Sequence, residues 1–212
     1  LDERRDTGRA VLSAADQALV VDVAAWRGPS LAVDLSRRDF TINALAAEIS
    51  GDTAQIVDVT GGLADLDARL MRTTSADALP DDPLRCLRAV RLLAELAPWK
   101  MRLEQDTGRQ IRSYARLLPA CAGERVRDEL ARTLAAANPR RWLAILSELG
   151  LLAVVLPEAD AMRRVEQSEP HFWDVFDHTI RVVDHAAWIA GWIAGLNEPA
   201  DAFDAAACQM LA

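Results

Sequence analysis

Residues 81–95 read DDPLRCLRAVRLLAE, and they decide how the rest of the chain is interpreted. The apolar residues of this stretch recur with the 3.6-residue period of an α-helix, so the sequence predicts one helix over the whole of it. On a helical wheel, Asp81, Asp82, Arg85 and Arg88 fall on one arc. Because residues three or four apart are neighbours on a helix surface, we expect these carboxylates and guanidinium groups to lie side by side.

A paired carboxylate and guanidinium can read one edge of a nucleobase. A carboxylate only accepts hydrogen bonds, and an arginine only donates them. Adenine and cytosine both offer an amino donor beside a ring-nitrogen acceptor, whereas guanine and uracil offer the reverse order. A neighbouring Asp and Arg would therefore accept A and C and reject G and U, because the wrong base leaves buried polar groups unpaired. The other interpretation is a salt-bridged helix face that solvent covers.

A second polar cluster lies upstream, where residues 36–45 read SRRDFTINAL. Apolar residues recur at helical spacing here, so the sequence predicts a helix, or a turn followed by a helix, over residues 34–49. Arginines beside a helix N-terminus favour a phosphate or ribose site, whereas a charged cap with an exposed ion pair is the other interpretation. The candidate residues of this cluster are Arg37, Arg38, Asp39 and Asn43.

Two further clusters flank these. Residues 58–66, DVTGGLADL, predict a strand, a tight turn at the paired glycines and a helix that Asp65 begins. Residues 123–130, GERVRDEL, predict a densely charged helix start, whose charges either form ion pairs along one helix or support the base-reading cluster. The candidate supporting residues are Asp81, Glu124, Arg125 and Arg127.

The remaining pattern gives the fold class. Short strands and one short helix precede residue 75, and beyond it the sequence predicts helices only. The strands are predicted over residues 9–12, 19–24 and 54–59, the short helix over 63–69, and the later helices over 103–117, 122–137, 140–149 and 172–193. The fold class is therefore α+β, with a small mixed unit followed by a helical array.

Composition and charge limit the kinds of nucleic-acid binding that the protein can have. The 212 residues are 51% hydrophobic and carry a formal net charge of −8, which is typical of a globular protein and argues against indiscriminate nucleic-acid binding. The charge is uneven, because residues 1–84 carry −7, residues 85–141 carry +7 and residues 142–212 carry −8. The basic middle block either meets a phosphate backbone or consists of solvated helix faces.

Other features concern location and chain ends. Three cysteines lie far apart without a CxxC pair, which favours a reduced, cytoplasmic protein. No stretch predicts a membrane span or a signal peptide, so we expect no membrane partner. The chain begins at Leu1 rather than Met, and residues 205–212 form an apolar run without a cap, so we expect a fragment of a longer protein.

In this order and at this spacing, the four clusters resemble motifs of one enzyme family. The family is that of the class II tRNA nucleotidyltransferases and bacterial poly(A) polymerases, the CCA-adding enzymes. Residues 34–45 resemble its ribose-recognising motif with the RRD triplet, and residues 58–66 resemble its flexible motif between head and neck. Residues 81–85 resemble its EDxxR amino-acid template, with Asp81 in place of glutamate. Residues 124–130 resemble its ERxRxEL helix.

The resemblance implies a specific activity. The protein would add C and A from CTP and ATP to the 3′ end of tRNA, by nucleotidyl transfer at two Mg²⁺ ions. Asp82 and Arg85 would select the base, and Arg38 and Asp39 would hold the nucleotide sugar and phosphate. Asp22 matches the family's third catalytic carboxylate and would help to bind metal. The family's DxD motif precedes the residues present here, so we expect the fragment alone to be inactive.

The resemblance also implies a division into three domains. Residues 1–74 would be the C-terminal part of a nucleotidyltransferase head, a remnant of its β-sheet. Residues 75–160 would form an all-helical neck and body that selects the base and binds RNA. Residues 161–212 would begin an HD-type helical domain, in which His178 matches the first metal ligand of an HD site completed beyond Ala212. Histidines on a half-buried helix face are the other interpretation of this last segment.

Several readings stay open. Templateless poly(A) addition fits the same Asp and Arg edge, since that edge accepts A. A non-catalytic RNA-binding module and a hydrolase built on the HD segment belong to other classes. In the tRNA nucleotidyltransferase reading, the basic helices of residues 85–141 guide the tRNA acceptor end, and the candidate RNA-binding residues are Arg109, Arg112 and Arg116.

Overall fold

The structure is a computed structural model. It describes residues 7–14, 17–163, 165, 167–169 and 172–193. The interpretations that concern His171, Cys208 and the apolar run at residues 205–212 lie outside these residues.

The chain begins with an antiparallel hairpin. Its strands are β1 (Thr7–Ala14) and β2 (Gln17–Ala24), which confirms both predicted strands. Val21 and Val23 flank Asp22 on β2. Val20 and Val23 are nevertheless exposed to solvent, as is Val11 on β1. The hairpin therefore buries little of its own apolar surface.

The helix predicted over residues 34–49 is wrong beyond its first turn. A short helix α1 (Leu31–Ser36) ends before Phe40, and a single 3-10 turn at Thr41–Asn43 follows. The chain then forms a second hairpin of β3 (Leu45–Ser50) and β4 (Thr53–Asp58), of which β4 was predicted.

Phe40 explains the difference. Its backbone is extended and forms an isolated antiparallel bridge with Thr73, and its side chain is completely buried. The apolar residues that looked helical thus belong to a buried anchor followed by a strand, because tertiary pairing outweighs local periodicity.

The predicted strand–turn–helix at residues 58–66 is confirmed, with a different cap. Helix α2 (Gly62–Ala68) begins after Gly61, whose φ of +80° places it in the left-handed region. The Asp58 carboxylate, not Asp65, accepts the backbone N–H groups of residues 60 to 63 at 2.8–3.2 Å. These hydrogen bonds, that from Leu63 foremost, hold the pKa of Asp58 below its usual range.

Asp65 instead ties α2 to the preceding turn. Its carboxylate accepts the Thr41 hydroxyl at 2.7 Å and the Arg72 Nε at 3.1 Å. A Cβ at Gly62 would lie 2.2 Å from the Thr41 carbonyl oxygen, so this close packing requires glycine.

The helix predicted over residues 81–95 is also interrupted. Helix α3 (Ala78–Asp81) ends at Asp82, whose φ of −143° and ψ of 91° are extended, and α4 (Arg85–Glu95) begins three residues later. Pro83 is the physical reason, because a proline disfavours the helical conformation of the residue before it. The two aspartates therefore precede the helix that carries the arginines.

The rest of the described chain is mainly helical, as predicted. One exception is a short parallel pairing between β5 (Leu70–Met71) and β6 (Arg102–Leu103). The helices are α5 (Gln105–Tyr114), α6 (Gly123–Leu134), α7 (Pro139–Glu148), α8 (Leu151–Val155), α9 (Pro157–Ala161) and α10 (Val175–Ile193). A 3-10 segment at Ala115–Ala120 follows α5.

The three two-stranded sheets and the helices together confirm the α+β class. Helix α4 lies at the centre of the core. The side chains buried around it include Leu87, Val90, Ile111, Leu118, Trp142 and Leu146. Cys86 and Cys121 are free thiols, and burial raises the pKa of the Cys86 thiol to about 12. Among the described helices, none has the length and apolarity that a membrane crossing needs.

Candidate nucleotide-binding site

Three separate segments of the chain surround a cavity of about 320 Å³. They are the end of the first hairpin, the stretch from α1 to the 3-10 turn, and the first turn of α4. The charged residues that line the cavity are Arg27, Asp34, Arg38, Asp39, Arg85 and Arg88. Four cations against two carboxylates leave a net positive charge, which suits a phosphorylated ligand.

Asp34 organises the outer side of this cavity. Its carboxylate accepts the Arg27 backbone N–H at 2.9 Å and the Arg38 Nε and Nη2 at 3.2 and 3.1 Å. Burial alone would raise the pKa of the Asp34 carboxyl, but the Arg27 and Arg38 hydrogen bonds outweigh it and the pKa lies below its usual range. The carboxylate thus stays charged and fixes Arg38 at the cavity.

Asp39 connects the 3-10 turn to α4. Its Oδ1 accepts the Phe40 backbone N–H at 2.8 Å and the Asn43 Nδ2 at 3.3 Å, and its Oδ2 accepts Arg88 Nη1 at 3.2 Å. The side chain therefore holds Asn43 and Arg88 on the same cavity. It caps neither the predicted helix, which does not form here, nor the 3-10 turn that replaces it.

Arg85 is 7% exposed, and its guanidinium is fixed by backbone oxygens. Its Nη1 donates to the carbonyl oxygens of Ala78 at 2.9 Å and Arg38 at 3.2 Å, and its Nη2 donates to that of Arg37 at 3.0 Å. Its Nε is buried without a hydrogen-bond partner among the described residues. Burial lowers the pKa of Arg85, against the opposing charges of Asp39 and Asp82, although an arginine stays protonated.

Asp82 lies beside this cavity rather than in its lining. Its Oδ2 accepts Arg125 Nη2 at 3.0 Å, so its ion-pair partner is on α6 and not on α4. Arg37 also lies outside the lining, and its Nη1 donates to the Arg27 carbonyl oxygen at 3.0 Å. Asp81 is exposed at the end of α3.

The other charges at the start of α6 face solvent. Glu124 is exposed, and Arg127 pairs with its neighbour Asp128 at 2.9 Å. Of the predicted supporting residues on this helix, Arg125 is therefore the one that contacts the base-reading cluster.

A buried glutamate that was not among the predicted site residues holds one of the cavity arginines in place. Glu129 is 7% exposed and accepts Arg88 Nε at 3.2 Å and Arg91 Nε at 2.5 Å. Arg91 continues to Glu95 at 2.7 Å, and Glu95 accepts Arg132 at 2.8 Å. Since Asp39 binds the other end of Arg88, an unbroken chain of charges joins the cavity to α6.

The predicted RNA-binding arginines are exposed on the α5 side of the helical array. Arg109 pairs with Asp106 on the same helix. Arg112 Nε donates to the Glu148 carbonyl oxygen at 3.4 Å. Arg116 is the second residue of the 3-10 segment Ala115–Ala120. None of the three arginines lines the cavity of about 320 Å³.

The predicted metal ligands do not form a metal site among the described residues. Asp22 is exposed and is bound at both oxygens by Arg9, with Nε at 2.6 Å and Nη2 at 3.0 Å. His178 lies in the first turn of α10. At the start of this helix, the Asp174 carboxylate accepts the Asp177 backbone N–H at 2.7 Å. Within the described ranges, no three His, Cys, Asp or Glu side chains are grouped closely enough to hold an ion.

Sequence reasoning missed four residues of the site, namely Trp26, Arg27, Asp34 and Glu129. For Glu129 a signal existed, since it lies on the apolar stripe of α6 with Val126, Leu130 and Thr133, where a charge must be paired. Trp26 and Arg27 had no such signal, because their position at the cavity depends on how the hairpin meets α1.

Comparison with known proteins agrees with this architecture. Residues 4–72 match the family model "Poly A polymerase head domain", and residues 100–163 match "Probable RNA and SrmB- binding site of polymerase A". The "Multifunctional CCA protein" of Burkholderia mallei (strain SAVP1) is 43% identical over 165 residues, which is 74% of this chain and 39% of the relative. The chain thus spans about two fifths of the curated relatives that it matches.

Two solved structures share the fold. A CCA-adding enzyme in complex with CTP is 30% identical with a TM-score of 0.63, covering 70% of this chain and 36% of its own. The Thermotoga maritima CCA-adding enzyme in complex with tRNA is 26% identical with a TM-score of 0.61, covering 76% of this chain and 40% of its own. The chain belongs to the family of CCA-adding enzymes and poly(A) polymerases, which are nucleotidyltransferases.

Proposed function

We propose that the cavity binds ATP and CTP, as part of a nucleotidyltransferase that adds C and A to the 3′ end of tRNA. The observation that carries this proposal is the meeting of Arg38, Asp39, Asn43, Arg85 and Arg88 around one space of about 320 Å³. These residues come from motifs far apart in the sequence. A cavity of this size lies within the range of small-molecule sites.

The charges suggest how a nucleotide would lie. Arg38 and Arg88 are held by carboxylates that leave part of each guanidinium for further donation, and these groups suit the phosphates. Asp39 and Asn43 offer an acceptor and an amide for the ribose hydroxyls. The base would then be directed toward the first turn of α4.

Arg85 and Asp82 would read the base at that end. The buried Nε of Arg85 has no partner among the described residues, and a ring nitrogen of A or C would accept a hydrogen bond from this guanidinium. Asp82 uses its Oδ2 for Arg125, which leaves Oδ1 to accept the exocyclic amino group. Arg125 thereby orients Asp82 without contacting the base.

The described residues do not supply a site for the metal ions that nucleotidyl transfer uses. The family resemblance implies Mg²⁺ with Asp22 as one ligand, yet Arg9 occupies both oxygens of that carboxylate. The described residues therefore do not fit a metal site on their own, and we assign to them the binding of nucleotide and RNA.

The proposal also covers the domain division, the location and the HD segment. We retain the division at residues 1–74, 75–160 and 161–212, a cytoplasmic location and a role for His178 in an HD-type domain. RNA contact by Arg109, Arg112 and Arg116 would direct the tRNA acceptor end toward the cavity.

Equilibrium binding of the four nucleoside triphosphates tests the function. ATP and CTP are expected to bind about tenfold or more tightly than GTP and UTP, because each unpaired buried polar group costs roughly 1–3 kcal/mol. Isothermal titration of the chain with each nucleotide in Mg²⁺ buffer measures this ratio.

The same titration separates the alternatives. Tight binding of ATP alone would favour poly(A) addition over CCA addition. Equal affinity for all four nucleotides, or none for any, would contradict base selection and leave RNA binding as the function of the chain.

A further inference from the structure

An exposed aromatic side chain lines the cavity of about 320 Å³. Trp26 follows the end of β2 and is 59% exposed, although its indole is large and apolar. Of the described residues that line this cavity, Trp26 alone is aromatic. Within the described part of the chain, no guanidinium group lies over its ring, whereas Arg141 lies 4.9 Å from the centre of the Trp142 ring. The Trp26 indole therefore keeps free surface for a ligand.

The backbone on both sides of Trp26 is fixed. Before it, β2 stays paired with β1 as far as Ala24. After it, the Arg27 backbone N–H donates to Asp34 Oδ1 at 2.9 Å, and the Arg27 carbonyl oxygen accepts Arg37 Nη1 at 3.0 Å. The fold thus places the indole at the cavity, although this side chain buries little surface of its own.

Trp26 also lies near the residue that is proposed to read the base. Arg27, which follows it, lines the same cavity as Arg85. Burial is the largest cause that lowers the pKa of Arg85, and the positive charge of Arg27 lowers it as well. Two charges act on each other in this way only at short range. A cavity of about 320 Å³ is at the small end of ligand sites, so its opposite walls can contact one bound nucleotide.

The flat faces of the base have no partner among the charged residues of the site. Hydrogen bonds with Arg85 and Asp82 are made at the edge of the base and lie in its plane. An aromatic ring stacks on the face instead, and it does so with any base, because every base has a π face. Stacking does not read the polar edge groups in which A differs from G, or C from U.

We propose that the Trp26 indole stacks on the base of the nucleotide in this cavity, and that it does so without distinguishing A from G or C from U. This inference rests on the proposed function and divides nucleotide binding between two kinds of contact. Trp26 contacts the face of the base, whereas Arg85 and Asp82 contact its edge. Affinity and selectivity then depend on different residues.

Nucleotide titration of two variants tests the stacking contact. Trp26→Ala is expected to lower the affinity for ATP and for GTP alike by about tenfold, so the ratio of the two affinities stays unchanged. Trp26→Phe is expected to keep most of the affinity, since a phenyl ring also stacks on a base. Isothermal titration measures the affinities, and thermal unfolding of both variants is expected to match the unchanged chain, because Trp26 is exposed.

Tryptophan fluorescence reports the same contact directly. A base stacked on an indole quenches its emission, so saturating ATP is expected to lower the fluorescence of the unchanged chain. In Trp26→Phe the nucleotide still binds, but this quenching is expected to disappear. Quenching of equal size in Trp26→Phe would overturn the inference.

Trp99→Ala is the matched control. Trp99 is 63% exposed at the end of a 3-10 segment, Ala97–Trp99, and does not line the cavity. Its nucleotide affinities are expected to equal those of the unchanged chain. An equal loss of affinity in Trp99→Ala and Trp26→Ala, or a changed ratio of ATP to GTP affinity in Trp26→Ala, would contradict a stacking contact that is separate from base selection.

The stacking contact and the proposed function fail in different ways. If the unchanged chain prefers ATP over GTP and Trp26→Ala keeps the full affinity for both, the stacking contact alone is wrong. If the unchanged chain binds no nucleotide, the proposed function is wrong and the stacking contact with it.

Discussion

Replacing Glu129 with alanine is expected to lower the free energy of unfolding by about 3–5 kcal/mol. Glu129 is buried and accepts hydrogen bonds from Arg88 and Arg91, which belong to α4, while Glu129 itself belongs to α6. Its removal leaves Arg91, 8% exposed in its side chain, with Glu95 as its remaining partner. Leaving a buried charge without a partner lowers the free energy of unfolding far more than losing an exposed ion pair does. Urea denaturation followed by circular dichroism measures the change.

Asp128→Ala supplies the comparison for this prediction. Asp128 precedes Glu129 on the same helix, but its ion pair with Arg127 is exposed at both ends. Exposed ion pairs contribute at most about 1 kcal/mol to stability. The free energy of unfolding of this variant is therefore expected to lie close to that of the unchanged chain. Equal effects of the two substitutions would show that Glu129 does not hold α6 against α4.

Replacing Arg85 with glutamine is expected to abolish the preference for ATP and CTP over GTP and UTP, bringing the ratio of affinities below about threefold. Arg85 is the donor half of the proposed base-reading pair, and a glutamine cannot replace its planar, charged guanidinium. The same substitution removes hydrogen bonds to the carbonyl oxygens of Arg37, Arg38 and Ala78, so it is also expected to lower the thermal stability. Nucleotide titration and thermal unfolding of the variant measure the two effects.

Arg91→Gln separates selectivity from stability. Arg91 is also buried and lies on the same helix, yet it binds Glu129 and Glu95 and does not line the cavity. It is expected to lose stability while it keeps the ratio of ATP to GTP affinity. Loss of the ratio in both variants would mean that selection depends on the integrity of α4 and not on contact with Arg85.

The sequence predicted the parts of the fold that depend on local signals. The strands of the first hairpin, the turn at the paired glycines and most later helices follow from alternation, turn residues and a 3.6-residue period. Pro83 is a local signal for the break between α3 and α4, but the helical wheel assumed an unbroken helix through it. The prediction therefore placed Asp82 and Arg85 on one helix face, although Asp82 precedes α4.

Other features depend on contacts between distant segments. Phe40 is buried and bridges Thr73, so the residues after it pair as a strand despite their helical spacing. Asp82 pairs with Arg125, 43 positions away in the sequence, where local reasoning favours a partner three or four residues away. Such pairings require the tertiary structure.

The candidate site shows the same division. Arg38, Asp39 and Asn43 were singled out from one motif and Arg85 and Arg88 from another, and all five line one cavity. Asp34 holds Arg27 at the cavity by accepting its backbone N–H, and Glu129 holds Arg88 there by accepting its Nε. Neither contact is visible in the sequence, because each one bridges elements that only folding brings together.

A crystal structure of the chain with CTP would show whether the cavity binds and reads a nucleotide. We expect the cytosine edge within hydrogen-bond distance of Asp82 and Arg85, with the phosphates directed toward Arg38 and Arg88. A nucleotide bound outside this cavity, or one whose base faces solvent while Arg85 keeps only its backbone partners, would contradict it.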